Sequence, residues 1–328
     1  MYDFFQTVGS IAVSVFVVTS MLNVGLTQKP SRLLAHLNNR AFLLRMVLMN
    51  FVVVPALMIA AVYLVDLERV YAAGLLLFSL SAGAPFLIKL SSLSRADIAL
   101  AATVLLVLMV GTVIVLPILL PQVIEGLTVD RWQIAEGLLV QLILPLVVGM
   151  VLLQTAERFV AVIQPWVAAI SNVALYVLIA AIIIGYLPAM SDVEMWKAIG
   201  VGMVVLLLSL FLGWTMGDGH GHLQEVGGLA TAQRNTAAAM IVAQQNFDDP
   251  RVLVLITLLN IFGIVMLIAA AKLMSRENSF AFLIPGAADV PGEERPGLPG
   301  EERAWVPGEV GAGATRKSTN EKNSAPER

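Results

Sequence analysis

Nine long apolar stretches are the feature of this sequence that most constrains its fold. They lie at about residues 4–27, 41–65, 70–94, 98–121, 134–155, 165–187, 195–216, 224–247 and 251–274. About 20 apolar residues in a helix cross the hydrocarbon core of a bilayer. A segment in lipid must also pair its own backbone polar groups, which a helix does. The sequence therefore predicts an all-α polytopic membrane protein with nine transmembrane helices.

The composition excludes several other classes of protein. Hydrophobic residues make up 58% of the chain and charged residues 13%, which is outside the range of soluble domains. The net charge of −3 offers no basic surface for nucleic acid, and the lack of cysteine removes thiol chemistry and cysteine-based metal sites. We find no phosphate-binding glycine loop, so we expect no enzyme, no ATP-driven pump and no cofactor. His220 and His222, beside Asp218, predict an exposed loop rather than a metal site.

Basic residues near the ends of the stretches predict the orientation of the chain. With the N-terminus outside, eight basic residues flank the inner ends and four flank the outer ends, as the positive-inside rule requires. The inner ones are Lys29, Arg32, Arg40, Arg45, Arg95, Arg158, Lys272 and Arg276, and the outer ones are Arg69, Arg131, Lys197 and Arg251. The C-terminus is therefore predicted to be cytoplasmic.

The segment after the last apolar stretch has a different composition. It repeats Pro-Gly-Glu-Glu-Arg at 291–295 and 299–303 and has few apolar residues, so it buries too little surface to offset its ordering entropy. We expect a transmembrane transporter domain over residues 1–284 and a disordered Pro/Gly/Glu-rich cytoplasmic tail over residues 285–328. The alternative for the tail is a peptide docking site anchored by Trp305.

Two of the nine stretches contain residues that interrupt helices. The third carries Gly83 and Pro85, and the eighth carries Gly227 and Gly228, followed by a polar cluster at 231–236. Non-helical backbone at membrane depth is tolerated only around a cavity or inside protein, and paired broken helices indicate a transporter binding site. We therefore predict hinges at these four residues. The alternative is a proline kink and a packed polar patch.

Arg234 lies near the middle of the apolar stretch from Val226 to Phe247, which contains no acidic partner for it. An ionisable side chain at bilayer depth costs about 2.5–3.5 kcal/mol on insertion scales, so it is usually retained for a ligand or a pathway. We expect Arg234 to face a substrate cavity. The alternative is that its guanidinium is buried and donates only to backbone carbonyls.

Lys89, in the third stretch, is a further candidate beside Arg234 and lies six residues before Arg95. Its side chain is long enough to extend to the cytoplasmic interface. The alternative is that it points toward Arg234, where desolvation and the neighbouring charge would lower its pKa and let it carry a proton.

Several motifs, in this order and spacing, resemble the bile-acid:sodium symporter family over residues from about 21 to 274. They are Gly25-Leu26-Thr27 with Lys29-Pro30-Ser31, Asn50-Phe51 followed by Pro55, the Gly83 and Pro85 break leading to Leu93-Ser94-Arg95-Ala96-Asp97-Ile98-Ala99-Leu100, Pro117 to Pro121, and Arg234-Asn235-Thr236. The resemblance implies two inverted repeats, two broken helices that cross, and a core domain that rocks against a panel domain. Stretches one, five and six would form the panel, and the inner membrane of a bacterium is the expected location.

The chain departs from this family where the family binds sodium. The positions that match the first sodium site are apolar, and they are Leu87, Ile88, Ala101, Leu105 and Ala230. The second site keeps Asn50 but has Ala230 and Arg234 at its other side-chain positions. Because an arginine can replace a cation but cannot coordinate one, the departures predict transport without sodium.

We therefore predict a secondary transporter that moves a small organic anion by alternating access within the lipid bilayer. The resemblance also suggests Asn235 and Asn260 as substrate contacts. The full set of expected substrate-binding residues is Arg234, Asn235, Thr236, Gln233, Thr231, Asn260, Asn50 and Lys89. The alternatives are a carrier of a neutral solute, a proton-coupled carrier, a sodium-coupled symporter with a remodelled site, and a receptor or scaffold that does not transport. The oligomeric partner is left open.

Overall fold

The structure is a computed structural model that describes residues 2–124, 131–185 and 192–283. Within these ranges the regular structure is entirely helical, which confirms the all-α prediction. The helices are α1 (Tyr2–Thr27), α2 (Pro30–Leu34), α3 (Arg40–Leu48), α4 (Val54–Val65), α5 (Arg69–Leu80), α6 (Phe86–Ser94), α7 (Ile98–Val123), α8 (Arg131–Leu138), α9 (Leu144–Thr155), α10 (Glu157–Gly185), α11 (Val193–Thr215), α12 (Gly221–Ala232), α13 (Thr236–Asn246) and α14 (Arg251–Leu283). The predicted tail lies outside the described residues.

Seven helical segments in the described part of the chain are long and apolar enough to cross a membrane. They are Thr7–Thr27, Arg40–Val65, Ile98–Val123, Arg131–Thr155, Glu157–Ile182, Val193–Thr215 and Arg251–Ser275. The other two predicted spans each form a pair of short helices instead. Residues 70–94 are divided into α5 and α6, and residues 224–247 are divided into α12 and α13.

Two of the seven continuous segments contain a π-helical turn just before a proline. Met49–Val53 precedes Pro55, and Leu139–Ile143 precedes Pro145. Proline lacks a backbone donor, and its ring clashes with the carbonyl four residues earlier. A local π turn widens the helix at this point and lets it continue. Each segment therefore spans its full length without a break.

Glycines allow two pairs of helices to approach closely. A Cβ on Gly25 of α1 would lie 2.2 Å from the carbonyl oxygen of Leu146 in α9. It would also lie close to Gly149 of the same helix. A Cβ on Gly213 of α11 would lie 2.3 Å from the carbonyl oxygen of Gly227 in α12. Small residues are typical of such contacts between membrane helices. In this way α1 packs on α9, and α11 packs on α12.

The structure corrects the hinge predicted at Gly227 and Gly228. Both residues lie inside α12, three turns of helix that continue to Ala232. Their hydrogen side chains admit α11, since a Cβ on Gly228 would also lie 2.9 Å from the carbonyl oxygen of Leu210. The glycines therefore serve helix packing, and the chain leaves the helix five residues later, at Gln233.

A polar network joins the first turns of α5, α11 and α14. The Tyr71 hydroxyl donates to Asp192 at 2.5 Å, and Arg251 pairs with Glu68 at 3.1 Å and with Asp249 at 2.8 Å. The hydrogen bond from Tyr71 lowers the pKa of the Asp192 carboxyl, which also caps α11. The network fixes the start of α5 and so positions the helix that leads into the first break.

Two apolar clusters make up the interior, and the chain passes from one cluster to the other at each helix break. The first cluster includes the buried residues of α5 and α13, and the second includes those of α6 and α12. Each broken span therefore passes from one cluster to the other, in opposite chain directions. The polar residues of the two breaks are consequently placed at one level, between two apolar layers.

Candidate functional site

The first break lies between Leu80 and Phe86. Ser81 adopts extended backbone angles, and Gly83 has a φ of 75°, a left-handed value that favours glycine. Pro85 forms the N-cap of α6, where its missing N–H costs nothing. These two residues were predicted as hinges, and the structure places both in the break.

Thr112 of α7 satisfies the backbone of this break. Its hydroxyl accepts from the Ala82 N–H at 2.9 Å and donates to the Ala82 carbonyl at 2.8 Å. The side chain is completely buried. Sequence reasoning missed Thr112 because a single threonine in a long apolar helix is unremarkable until the break beside it is known.

The second break covers Gln233 to Asn235, and Asn235 connects it to the first. Its backbone N–H donates to the Ser81 carbonyl at 2.8 Å, and its Nδ2 donates to the Gly83 carbonyl at 2.9 Å. Its Oδ1 accepts from the Ala238 N–H at 3.1 Å and so caps α13. Asn235 therefore holds the two breaks together and starts the next helix.

Arg234 is the largest fully buried side chain among the described residues, with 1% of its surface exposed. One guanidinium nitrogen donates to the Ser79 carbonyl at 3.0 Å, and the other donates to the Thr231 carbonyl. Within the described part of the chain its hydrogen bonds go to backbone carbonyls, not to a carboxylate. The structure thus shows the arrangement given as the alternative for Arg234, a buried guanidinium that donates to backbone carbonyls.

The two acceptors of Arg234 occupy equivalent positions in their helices. Ser79 is the second-last residue of α5, and Thr231 is the second-last residue of α12. Carbonyls in the last turn of a helix lack intrahelical donors and form the negative end of the helix dipole. The guanidinium therefore lies where two negative helix ends meet, and it neutralises both.

Three polar atoms around the breaks are buried without a hydrogen-bond partner. They are Nε of Arg234, Oε1 of Gln233 and Oδ1 of Asn50. Buried polar groups are normally paired, so each unpaired one requires an explanation. One donor and two acceptors in this region are therefore available to a polar ligand.

The remaining predicted residues are divided between this region and the surface. The Thr231 hydroxyl contacts the Met46 sulfur at 3.9 Å, and the Asn50 Nδ2 donates to the Met46 carbonyl at 2.9 Å. The Thr236 hydroxyl donates to Oδ1 of Asn260 at 2.5 Å. These four side chains, with Gln233, Arg234 and Asn235, line or adjoin the two breaks.

Lys89 does not share this environment. Its side chain is exposed, and its ammonium lies 5.8 Å from the ring centroid of Phe86 on the same helix. The alternative prediction that Lys89 points toward the buried Arg234 is therefore wrong. The reason is its position on the exposed side of α6, one turn after Phe86, while Leu87 and Leu90 take the buried side.

The positions that the resemblance assigns to a first sodium site hold packed apolar side chains. Leu87, Ala101, Leu105 and Ala230 are each at most 2% exposed and belong to the second apolar cluster. Ile88 packs against the same cluster. These side chains provide no oxygen ligand. His220 and His222 are exposed, and no group of metal-binding side chains occurs among the described residues.

Comparison with protein families identifies the chain. The model of the family described as "Sodium Bile acid symporter family" matches residues 14–192. A search of curated proteins gave no match. The matched range begins in α1, includes the first break and ends just before α11. Together with the seven apolar helical segments found among the described residues, this makes the chain an integral membrane protein. Because the match covers more than half of the sequence, the protein belongs to the sodium bile acid symporter family.

Proposed function

We propose that this protein is a secondary transporter that moves a small organic anion by alternating access and does not use sodium as a coupling ion. Membership of a symporter family supports transport rather than enzymatic catalysis. The single observation that carries the proposal is the buried guanidinium of Arg234, which bridges the ends of α5 and α12 without a carboxylate partner among the described residues.

The position of Arg234 explains why a bound cation is unnecessary. The C-terminal ends of two half-helices attract a positive charge, and broken transporter helices commonly use them to coordinate one. Arg234 supplies that charge permanently, because a guanidinium stays protonated at physiological pH. The unpaired Nε–H remains as a donor for an anionic solute.

The packing supports the remaining parts of the proposal. The antiparallel passage of α5–α6 and α12–α13 between the two apolar clusters supports inverted repeats with crossing broken helices and nine spans. The close packing of α1 with α9 and α10 supports a panel domain. We further propose a bacterial inner membrane with the N-terminus outside, based on the distribution of basic residues.

Counterflow tests transport directly. Organic anions would first be screened by their effect on the unfolding temperature of the purified protein, since a ligand that binds the native state raises it. A labelled hit is then expected to accumulate transiently in liposomes that contain the unlabelled compound and the protein. A receptor would bind the hit without exchanging it, and this outcome would contradict the proposal.

Replacing sodium by potassium or choline is expected to leave binding and uptake nearly unchanged. The physical reason is that Leu87, Ala101, Leu105 and Ala230 offer no oxygen to an ion that needs several. Initial uptake rates at constant ionic strength are the measurement. A steep and saturable dependence on sodium would show that the ion binds at a site built from other groups.

An imposed pH gradient, in the absence of sodium, is expected to leave the solute at equal concentrations on both sides. The charge of Arg234 is fixed and cannot be released in each cycle, and Lys89 lies on the exposed side of α6 whereas Arg234 is buried. Uptake into liposomes with and without the gradient measures this. Accumulation above the external concentration that disappears in Lys89→Ala would instead establish proton coupling.

A further inference from the structure

An open surface cleft of about 320 Å³, lined by four polar side chains, lies between α8 and the end of α13, away from the helix breaks. Its lining residues are Gln133, Glu136, Gly137, Val140, Gln141 and Gln245. The first five follow the spacing i, i+3, i+4, i+7, i+8 and therefore share one face of the helical segment that starts at Arg131. The volume is at the lower end of the range for small-molecule sites.

Gly137 and Gln245 create the space for this cleft. A Cβ on Gly137 would lie 2.3 Å from Oε1 of Gln245, so only glycine lets the carboxamide lie against the backbone of α8. The neighbouring Gln244 donates to the Ser10 carbonyl at 3.0 Å and also to its hydroxyl. This last turn of α13 is thereby held against α1 on one side and faces the cleft on the other.

The cleft is separate from the site around Arg234. Gln245 follows Thr236 by nine residues along α13, which is about 13.5 Å at 1.5 Å per residue. The intervening residues Ala237–Ala243 are almost completely buried, and Ile134, Leu138 and Leu142 close the α8 side. In this conformation no small solute reaches both places at once.

The chemistry of the lining selects the charge of a ligand. The Glu136 carboxylate is the one charged group among these lining residues, and the three carboxamides, which both donate and accept, can each turn an oxygen toward a cationic ligand. An ammonium group has three donors and no acceptor, so it matches such a lining. An anion would meet the carboxylate without a compensating cation.

We propose that this cleft is a second binding site that takes an alkylammonium group. The group comes either from a separate amine or from the transported solute, which would then be a zwitterion. The second possibility, a zwitterionic transported solute, rests on the proposed function, since it requires that the anionic end of the same solute later reaches Arg234. Binding of the ammonium itself is independent of transport.

Titration of the purified full-length protein with ethanolamine tests the site. We expect weak binding, with a Kd on the order of 1 mM, because Glu136 is exposed. Glu136→Gln should raise the Kd about two- to five-fold, the range for an exposed ion pair. Gly137→Ala should weaken binding as well, because its methyl group displaces only the flexible end of Gln245 and leaves the fold intact.

Glu157→Gln is the matched control. Glu157 is also an exposed carboxylate, but it lies at the start of α10 and pairs with Lys29 at 3.6 Å. Its replacement should leave the Kd for ethanolamine unchanged. Equal binding by the wild type and Glu136→Gln, or no binding at all, would overturn the proposal.

Uptake assays distinguish the two sources of the ammonium. If the transported solute is a zwitterion, external ethanolamine should inhibit its uptake in the wild type and inhibit less in Glu136→Gln. If ethanolamine binds but uptake is unaffected, the site serves a separate amine. A protein that binds ethanolamine but transports nothing would contradict the proposed function and leave the cleft site supported.

Discussion

Replacing Arg234 by glutamine is expected to weaken binding of the anionic solute by roughly 10- to 150-fold. A hydrogen bond to a charged group contributes about 1.5–3 kcal/mol, and each 1.4 kcal/mol corresponds to a factor of ten. The guanidinium is 1% exposed and retains an unpaired Nε–H, so water does not screen its charge. Titration of the purified variant with the solute measures the loss.

Arg131→Gln is the control for this substitution. Arg131 is exposed at the start of α8, so removing its charge should change the affinity little. If the folded Arg234→Gln protein bound the solute as tightly as the wild type, Arg234 would only bridge the helix ends and would not contact solute.

Arg234→Lys separates charge from geometry. Lysine keeps the positive charge but lacks the planar fork that donates to the carbonyls of Ser79 and Thr231 simultaneously. We expect an affinity between those of the wild type and Arg234→Gln. A lysine variant as weak as the glutamine variant would show that the bridge between α5 and α12, rather than the charge, forms the site.

The first break could be predicted from the sequence because local residue properties determine it. Glycine accepts the φ of 75° found at Gly83 without strain, and Pro85 caps the start of α6. The apolar stretches also located the continuous spans well. For example, residues 98–121 were predicted as a span, and the helix observed there is Ile98–Val123. The start of α10 was missed by eight residues, because the helix runs through Pro165 to Glu157.

The second break could not be located in the same way, because its determinants are tertiary. A hinge was predicted at Gly227 and Gly228 because glycine interrupts helices. In a membrane protein, however, glycines inside a helix often allow a neighbouring helix to pack closely. The chain leaves the helix where Asn235 meets the carbonyls of Ser81 and Gly83, about 150 residues earlier in the sequence. Sequence periodicity carries no information about such a contact.

The environments of Arg234 and Lys89 could not be predicted from the sequence either. Both Arg234 and Lys89 interrupt apolar stretches, yet one is fully buried and the other is exposed. The difference depends on which side of a short helix faces the protein. In α6 that side is taken by Leu87 and Leu90, so Lys89 is directed outward.

Replacing Gly83 by alanine is expected to destabilise the protein by about 3 kcal/mol or more and to abolish transport. A left-handed conformation costs an L-residue about 1–2 kcal/mol. The new Cβ would also lie 2.3 Å from the backbone nitrogen of Met109, an atom fixed within α7, and such overlaps cost about 1–3 kcal/mol. Relief would require moving the Gly83 carbonyl away from Asn235.

Gly200→Ala is the matched control, measured by thermal unfolding and solute uptake in the same preparation. A Cβ on Gly200 would meet nothing within 4 Å, and the residue lies in the interior of α11. Alanine is favoured over glycine in a helix by about 1 kcal/mol, so this variant should be as stable as the wild type or more stable. The same glycine-to-alanine change thus has opposite expected effects at the two positions, because only Gly83 combines a left-handed backbone with a neighbouring main chain. If both variants unfolded at the same temperature, the first break would not have this geometry, and the bridge that Asn235 makes to it would lose its basis.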